Sequence, residues 1–248
     1  MKEWITGRNP VYEVLQARRR QVYRMLVATG VQEKGRLEAS LRLAAAQKVP
    51  VERVPRQRID PMGENPQGVA LEVGEYPYAD IEDIFQVAEQ RGEPLFVLLL
   101  DLIQNPQNLG TLLRSSEAFG VHGVILPFRH SASITPAVVT ASAGASEHLN
   151  VAQVNLAQAM TRLKEAGVWI VGLEGSPAAQ PPERIRLDGP LALVVGNEGE
   201  GMRDLVRKSC DLLMQLPMTG HIDSLNAAVA GSIALYLAVQ ARREAALK

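Results

Sequence analysis

The sequence contains one cysteine, Cys210, among 248 residues. A single cysteine excludes an internal disulfide framework and favours a reducing compartment, and Cys210 is more simply interpreted as a small apolar side chain than as a nucleophile. Long apolar runs are missing too, since the longest, residues 95–100, is far shorter than the run of about 18 residues that a membrane span needs. The first 20 residues lack the apolar segment of a secretory signal. We therefore expect a cytoplasmic protein that does not enter a membrane.

Histidine is scarce, with four in the whole chain. His221 lies in a loop-like segment, and no second histidine or cysteine stands at the spacing that metal ligands require. We expect no metal site.

A strong overall charge is also absent, because 26 Lys and Arg nearly balance 27 Asp and Glu, giving a formal net charge of −1. The distribution is uneven, since residues 1–74 carry 13 basic and 8 acidic side chains, whereas residues 75–90 carry five acidic and no basic ones. A basic N-terminal part suits a polyanionic partner, although a solvated surface explains the same charges equally well.

The N-terminal part, residues 1–74, has the pattern of a small α/β domain. Pro10 suits the first turn of a helix, and residues 34–47 place leucine and alanine at helical spacing. The domain also contains three strand-like segments, at 23–28, 51–54 and 69–73. The acidic residues after this domain include a short predicted helix, and we interpret residues 75–92 as a linker or hinge.

Residues 93–248 show a different pattern, in which apolar strand-like runs alternate with helical stretches. Most of these runs are continuously apolar, as expected of strands that are covered on both faces. The alternation predicts an α/β domain with a mostly parallel sheet and helices on both sides. The predicted strands are 95–100, 123–126, 149–154, 168–173, 191–195 and 212–216.

The first motif with chemical potential follows the predicted strand 95–100. It places Asp101, Asn105, Asn108 and Arg114 beyond the carboxyl end of a buried strand, where open α/β sheets bind ligands. A surface arginine on a helix is the plainer interpretation of Arg114 taken alone. Several polar side chains around one strand end favour a binding site.

The second motif is a glycine-rich turn, residues 196–202, between an apolar strand and a helix. It has neither the Gly-x-Gly-x-x-Gly fingerprint nor the Gly-Lys-Ser/Thr of a phosphate-binding loop. Glu198 and Glu200 would repel a phosphate, but they suit a ligand with positive charge or hydroxyls, such as S-adenosylmethionine. An ordinary strand-to-helix turn is the alternative.

The third motif, residues 216–226, leads from a short strand into a long C-terminal helix that is rich in small residues. Asp223 or Ser224 can act as the N-cap of that helix, and helix capping is also the simplest role for Ser224 and Asn226. Each motif alone is therefore ambiguous.

Together, and in this order, the three motifs resemble the SpoU (TrmH-type) RNA ribose 2′-O-methyltransferases of the SPOUT superfamily. The first matches the family's Asn-x-x-Asn-x-Gly-x-x-x-Arg-x-x-x-x-Phe-Gly run, the second its Gly-x-Glu-x-x-Gly run and the third its Pro-Met-x-Gly-x-x-x-Ser-Leu-Asn run. The segments 7–11 and 67–70 are similar to the substrate-binding domain of longer members. That layout is most like the RlmB-type enzymes, which act on guanosine of 23S ribosomal RNA.

The resemblance implies a fold, a cofactor and an assembly. The fold would be a parallel sheet whose C-terminal chain forms a deep trefoil knot, and the protein would be a homodimer, with the helix at 225–240 as a plausible dimer element. The cofactor would be S-adenosyl-L-methionine, bound mostly through backbone groups, with residues 143–145 as one wall of its pocket. The residues that match the cofactor site are Ala143, Gly144, Val195, Gly196, Leu216, Pro217, Met218, Ser224 and Leu225.

The resemblance also assigns the chemistry to a set of five residues. Arg114 matches the family's catalytic arginine, but a guanidinium pKa above about 12 argues against a simple base and favours binding of the phosphate and the hydroxyl. Glu198 or a phosphate oxygen would then accept the proton, or Glu198 would position Arg114. The catalytic set implied is Asn108, Arg114, Glu198, Ser224 and Asn226.

The N-terminal domain is the predicted RNA-binding surface, through Arg8, Arg18, Arg19, Arg20 and Arg24. The predicted function is S-adenosylmethionine-dependent 2′-O-methylation of structured RNA, with ribosomal RNA favoured and transfer RNA as the alternative substrate. A catalytically silent RNA-binding module on the same fold is a second alternative. A nucleotide-binding oxidoreductase is a third, which the missing dinucleotide fingerprint disfavours.

Overall fold

The computed structural model describes residues 2–221 and 224–247. The chain divides into two compact units, of which the first contains the residues up to Pro77 together with Ser133–His148. The second contains Tyr78–Ala132 and the residues from Leu149 onward. Within the described residues, no helix is long and apolar enough to cross a membrane.

The first unit is built on a four-stranded sheet with the strand order β1-β4-β2-β3. Strands β2 and β3 are parallel, and β4 pairs antiparallel with both β1 and β2. The elements predicted for residues 1–74 are confirmed with shifts of one or two residues at their ends. They are α1 (Arg8–Ala17), β2 (Val22–Ala28), α2 (Arg36–Ala46), β3 (Val51–Val54) and β4 (Val69–Val73).

Strand β1 (Glu3–Thr6) is an additional element that the sequence pattern does not predict. Its four residues are too short for a clear alternation, and its partner lies far along the chain, with Glu3 opposite Val73. Ile5 of this strand is fully buried in the unit's core. Helix α1 ends at Arg18, which adopts a left-handed conformation (φ 55°) and donates its backbone N–H to the carbonyl of Val14.

The segment 133–148 belongs to the first unit, although the sequence pattern assigns it to the C-terminal domain. It contains α5 (Pro136–Ala141) and a 3-10 turn, Ala145–His148, which pack on β1 and α1 respectively. Glu147 of this turn is fully buried and accepts hydrogen bonds of 3.0 to 3.2 Å from the guanidinium of Arg20. Arg20 also donates to Glu3 (3.0 Å) and lies 4.9 Å from the ring centre of Tyr76.

This burial corrects the predicted RNA-binding surface. The side chain of Arg20 has no exposed area, because its donors are directed at Glu147 and Glu3 inside the unit. A guanidinium in that environment cannot reach a phosphate of a bound RNA. Arg20 therefore stabilises the packing of segment 133–148 and is removed from the RNA-binding set.

The second unit contains a six-stranded, fully parallel sheet with the order β10-β8-β9-β5-β6-β7. All six predicted strands are confirmed with end shifts of one or two residues, and helices alternate with them. The elements are α3 (Ile81–Arg91), β5 (Phe96–Leu100), α4 (Pro106–Ala118), β6 (Gly123–Leu126), β7 (Asn150–Gln153), α6 (Leu156–Glu165), β8 (Trp169–Leu173), β9 (Leu191–Val195), α7 (Asp204–Ser209), β10 (Leu212–Met214) and α8 (Ala227–Ala246).

Helices cover both faces of this sheet. Buried residues of α3, α6 and α7 form one core with Val97 and Val194, which point to the same face. Val195, the next residue of β9, points to the opposite face and approaches Gly231 of α8. Helix α4 packs on the same glycine, because a Cβ at position 231 would lie 2.5 Å from Leu112. The strands are therefore buried on both sides, which confirms the predicted α/β class and explains why their sequences are continuously apolar.

Two predictions about the chain's course need separate comment. Helix α3 lies within the predicted linker 75–92, but Ile84 and Ala88 are buried in the core of the second unit, so α3 is part of that unit. The segment between β10 and α8 includes residues 222 and 223, which lie outside the described residues. The predicted trefoil knot therefore stays a prediction.

Candidate active site

The three motifs of the sequence lie in loops that follow strands of the parallel sheet. Strands β5 and β9 are neighbours, with Leu100 opposite Val195, so the first two motifs leave the sheet side by side at its carboxyl edge. The third motif follows β10 and leads into α8. Ligands bind at this edge in open α/β sheets, where strand ends leave room for a pocket.

One carboxylate oxygen joins all three motifs. Oε1 of Glu198 accepts hydrogen bonds from Nδ2 of Asn108 (3.0 Å), from Nδ2 of Asn226 and from the backbone N–H of Ala227 (3.1 Å). Asn226 also donates to Oδ1 of Asn108 (3.1 Å). Asn108, Glu198 and Asn226, here called the amide–carboxylate cluster, therefore form one hydrogen-bonded group, drawn from positions up to 118 residues apart.

Helix capping positions two members of this cluster. Asn105 accepts a hydrogen bond from the N–H of Gln107 (2.7 Å) and Pro106 occupies the first turn, so α4 begins where it presents Asn108 to the loop after β9. Asn226 is the N-cap of α8, since its Oδ1 accepts from Ala228 (3.0 Å) and Val229 (3.2 Å). Its Nδ2 remains available for the cluster. The amide oxygen of Asn226 therefore caps α8, while its amide nitrogen donates hydrogen bonds within the cluster.

The other two predicted catalytic residues lie apart from the cluster's hydrogen bonds. Arg114 is exposed on α4 and makes no hydrogen bond or ion pair with any residue that the structure describes, Glu198 included. Ser224 is exposed, and it is not the N-cap of α8, a position that Asn226 occupies. Asp223, the other predicted N-cap, lies outside the described residues.

The loop that carries Glu198 is attached to the end of β5 by Asp101, a residue of the first motif, and by Asn197. Asp101 is fully buried and accepts hydrogen bonds of 2.8 Å from the backbone N–H and from Nε of Arg203. Asn197 donates its amide to the carbonyl of Leu102 (3.2 Å). The position of Asp101 directly after a buried strand was the sequence signal for this attachment, since a buried carboxylate needs a hydrogen-bond partner.

A close backbone approach requires glycine within this loop. Asn197 and Gly201 exchange backbone hydrogen bonds of 2.9 and 3.0 Å, which folds the loop back on itself. A Cβ at position 196 would lie 2.3 Å from the carbonyl carbon of Gly201, and Gly201 itself has a φ of 69°. Side chains at these two positions would therefore open the turn that presents Glu198.

A cavity of about 510 Å³ lies between the loops that follow β8, β9 and β10. Its wall includes Glu198 of the amide–carboxylate cluster, so the cluster lies at its edge. Six of the predicted cofactor residues line it: Val195, Gly196, Leu216, Met218, Ser224 and Leu225.

Three predicted cofactor residues are not part of this wall. Pro217 is exposed and does not line the cavity. Ala143 and Gly144 belong to the first unit, where a Cβ on Gly144 would lie 2.5 Å from Cβ of Glu13 on α1. The glycine therefore permits close packing inside that unit, and the assignment of Ala143 and Gly144 to the cofactor site stays a prediction.

The cavity wall is acidic. Glu174, Glu198, Glu200 and Asp204 line it, against the single guanidinium of Arg207. Arg207 donates to both carboxylate oxygens of Glu174 at 2.7 and 2.9 Å, a hydrogen bond that lowers the pKa of Glu174 and raises that of Arg207. The remaining carboxylates favour a ligand that carries positive charge. Among the described residues, no group of His, Cys, Asp and Glu could hold a metal ion.

Comparisons with known proteins agree with this geometry. The model of the SpoU rRNA methylase family matches residues 95–236, and a model described as RNA 2′-O ribose methyltransferase substrate binding matches residues 4–79. A protein of Bacillus subtilis, named as a TrmH family tRNA/rRNA methyltransferase, is 40% identical over 239 residues, covering 94% of each chain.

Solved structures agree on the fold. The SpoU methyltransferase AviRb of Streptomyces viridochromogenes, in complex with AdoMet, superposes with a TM-score of 0.81 at 23% identity, covering 98% of this chain and 91% of that one. An AdoMet-bound rRNA methyltransferase of Sinorhizobium meliloti has a TM-score of 0.78 at 24% identity, covering 96% and 87%. The family match extends over more than half of the sequence and over all three motifs, and the chain therefore belongs to the SpoU (TrmH) family of RNA methyltransferases.

Proposed function

We propose that this RNA 2′-O-ribose methyltransferase acts on a guanosine of 23S ribosomal RNA and that the amide–carboxylate cluster with Arg114 forms its catalytic centre. The observation that carries the assignment is the convergence of Asn108, Asn226 and Ala227 on Oε1 of Glu198, at the edge of an acidic cavity. Family membership supplies the reaction class. The amide–carboxylate cluster supplies candidates for the residues that carry out the reaction.

The cavity fits S-adenosylmethionine in size and in charge. Its volume of about 510 Å³ lies within the range of about 300–1,000 Å³ that is usual for small-molecule sites. Leu216, Met218 and Leu225 offer apolar walls for an adenine ring, and the surplus carboxylates suit the sulfonium and the amino group. Backbone groups of Val195 and Gly196 would hold the ligand at the carboxyl end of β9. When bound, the cofactor supplies a methyl group that is activated for displacement by its sulfonium.

Glu198 divides its two oxygens between two tasks in this proposal. Oε1 is saturated by three donors and therefore orients Asn108 and the start of α8. Oε2 accepts no hydrogen bond from any residue that the structure describes. It is therefore available to accept the proton of the ribose 2′-hydroxyl when the ribose 2′-oxygen attacks the methyl carbon. The amides of Asn108 and Asn226 would hold the ribose in line.

Arg114 has a different task. Its guanidinium is exposed and has no partner among the described residues, so it is suited to bind a phosphate of the target nucleotide. Binding the phosphate would orient the adjacent ribose, which is a large part of the catalysis of a displacement reaction. A role in positioning Arg114 is not assigned to Glu198, because the two side chains form no hydrogen bond or ion pair with each other.

The N-terminal unit supports an RNA substrate, since a substrate-binding family model matches residues 4–79, and the description of the SpoU rRNA methylase family favours ribosomal RNA. With Arg20 removed, the remaining candidates differ in availability. Arg8 and Arg24 hold protein acceptors, with Arg24 paired to Glu72 at 2.8 Å, whereas Arg18 is exposed and makes no side-chain hydrogen bond with the described residues. We place the RNA contact at Arg18, with Arg8, Arg19 and Arg24, which also hold protein groups, at its margin.

A homodimer is part of the proposal. Three apolar side chains of α8, Val229, Ile233 and Tyr236, are each more than a third exposed and recur at helical spacing. Such a stripe is suited to a subunit interface. The mass of the protein in solution by light scattering tests this assignment.

Mapping of ribose methylation in total RNA, with and without this protein, tests the substrate. The proposal predicts one position of 23S ribosomal RNA, a guanosine, that loses its 2′-O-methyl group. The same loss in a transfer RNA would establish the alternative substrate, which the name of the Bacillus subtilis relative leaves open. An unchanged methylation map in both RNA classes, with S-adenosylmethionine still bound, would support a catalytically silent RNA-binding module.

A further inference from the structure

An exposed aromatic side chain stands at the carboxyl edge of the sheet, outside the three motifs. Phe128 follows β6 and leaves 66% of its surface exposed. Arg129 and His130, the next two residues, are also exposed, and none of the three side chains forms a hydrogen bond or ion pair with a described residue. The loop 127–132 thus presents an aromatic ring beside two basic side chains, and it contains no acidic residue.

Hydrogen bonds fix both ends of this loop to segments that follow the neighbouring strands β7 and β5. At its start, the carbonyl of Leu126 accepts the N–H of Val154 at 2.9 Å. At its end, the N–H of Ala132 (2.8 Å) and the hydroxyl of Ser131 (3.3 Å) both donate to the carbonyl of Ile103. Ile103 belongs to the loop after β5 that leads into α4. The ring of Phe128 is therefore presented from the strand next to the one that precedes Asn108 and Arg114.

The chemistry of this loop matches a nucleic acid. An aromatic ring exposed to water offers a flat face on which a nucleobase can stack, and the adjacent guanidinium of Arg129 attracts phosphates. A charged arginine next to the ring disfavours an apolar protein partner, because charged groups are depleted at the centres of protein interfaces. We propose that Phe128 stacks on a nucleobase next to the target ribose while Arg129 contacts the RNA backbone, an inference that rests on the proposed RNA methyltransferase function.

Three substitutions at one position separate stacking from other roles. Phe128→Ala and Phe128→Leu both remove the aromatic face, whereas Phe128→Trp keeps it. Stacking predicts that the first two raise the KM for unmethylated RNA by about 5- to 150-fold and that the third leaves it near the wild-type value. The matched control is Trp169→Ala at the opposite end of the sheet, where β8 begins and an aromatic side chain is 57% exposed. We expect no change in KM for that control.

Two further measurements identify the cause of any loss. S-adenosylmethionine affinity by calorimetry and the mass of the protein by light scattering must stay unchanged in Phe128→Ala. An unchanged KM in Phe128→Ala, or a wild-type KM in Phe128→Leu, would overturn the stacking role. A fall in mass would overturn it in favour of a protein contact.

The proposal can fail separately from the function on which it rests. If the wild-type protein methylates no RNA, the proposed function fails. RNA binding by the Phe128→Trp variant then decides the inference, through the fluorescence of the new indole measured in a background in which both native tryptophans are replaced, Trp4→Phe and Trp169→Phe. Quenching by single-stranded RNA supports stacking, whereas unchanged emission at saturating RNA contradicts it.

Discussion

The backbone N–H of Ala227 donates a hydrogen bond of 3.1 Å to Oε1 of Glu198, so the loop after β9 caps the first residue of α8. The negative carboxylate lies at the helix N-terminus, where the helix dipole favours it. Asn108 and Asn226 donate to the same oxygen. The orientation of this one side chain is therefore fixed from three directions, while its second oxygen stays available.

Glu198→Gln tests the division of tasks between the two oxygens. The amide oxygen of glutamine can replace Oε1 as an acceptor, but the amide nitrogen cannot accept a proton. We expect kcat to fall by about 100-fold or more, the usual contribution of a general base, while S-adenosylmethionine affinity is retained. Single-turnover methyl transfer and calorimetry measure the two quantities. Near-wild-type turnover would show that Glu198 only positions its neighbours and that another group accepts the proton.

Asp101→Asn tests the attachment of the loop that carries Glu198. The neutral side chain weakens the interaction with Arg203, at a cost of about 1.5–3 kcal/mol for a hydrogen bond to a charged group. Because residues 196–202 line the cavity, both kcat and cofactor affinity should fall. The matched control is Asp188→Asn, which breaks an exposed pair with Arg186 and should leave both quantities unchanged. Equal behaviour of the two variants would refute a positioning role for Asp101.

Arg20→Ala and Arg18→Ala should affect different properties. Removing Arg20 leaves the buried carboxylate of Glu147 without its guanidinium, which is expected to destabilise the first unit by about 3–5 kcal/mol. Removing Arg18 should change stability by less than about 0.5 kcal/mol, yet weaken RNA binding and lower its salt dependence. Urea unfolding and RNA titrations at several salt concentrations measure these effects. An RNA-binding defect in Arg20→Ala without a loss of stability would restore Arg20 to the surface set.

His122 predicts a pH dependence of stability. Burial lowers its pKa below the ordinary value of 6.5, although the hydrogen bond to Glu93 opposes this shift. Its Nδ1 accepts the N–H of Phe96 at 2.9 Å, so the folded protein holds the neutral ring. The unfolded chain binds a proton more readily, and the stability contributed by His122 is therefore complete above about pH 6.5 and is lost as the pH falls towards the folded-state pKa.

The measurement is the free energy of unfolding in urea between about pH 7 and about pH 5, for the wild type and for His122→Asn. The wild type should lose more stability across this range than the variant. His148→Asn serves as a control at a partly exposed histidine that pairs with Glu13. Parallel slopes for the wild type and His122→Asn would contradict the assignment.

Much of the fold follows from local sequence, because strands buried on both faces are continuously apolar and their helices have clear starts. The pairing of Arg20 with Glu147 could not be predicted, since 127 residues separate them and nothing local distinguishes Arg20 from Arg18. The membership of segment 133–148 in the first unit could not be predicted either, because the segment lies far along the chain from the rest of that unit. A four-residue strand such as β1 is recognisable only through its partner β4.

In the candidate site, too, local sequence predicts some features, whereas others depend on residues far apart in the chain. The cluster members were predicted because the three motifs together resemble those of the SpoU family, and parallel topology brings the strand ends that carry them together. The attachment of Arg203 to Asp101 was missed because it joins residues 102 positions apart. The packing of Gly144 against α1 could not be predicted, because a glycine that permits such packing has the same local sequence as one that approaches a ligand.

Methyl transfer by the Arg114→Ala variant is the most direct test of the central claim. Unmethylated ribosomal RNA and radiolabelled S-adenosylmethionine are the substrates, and cofactor binding is followed by calorimetry on the same protein. Arg162→Ala, which removes a partly exposed arginine of the same unit that pairs with Glu82, is the control. The account predicts loss of methyl incorporation by at least about 100-fold with unchanged cofactor affinity, as for removal of one group that stabilises the transition state. Turnover near the wild-type value would contradict it.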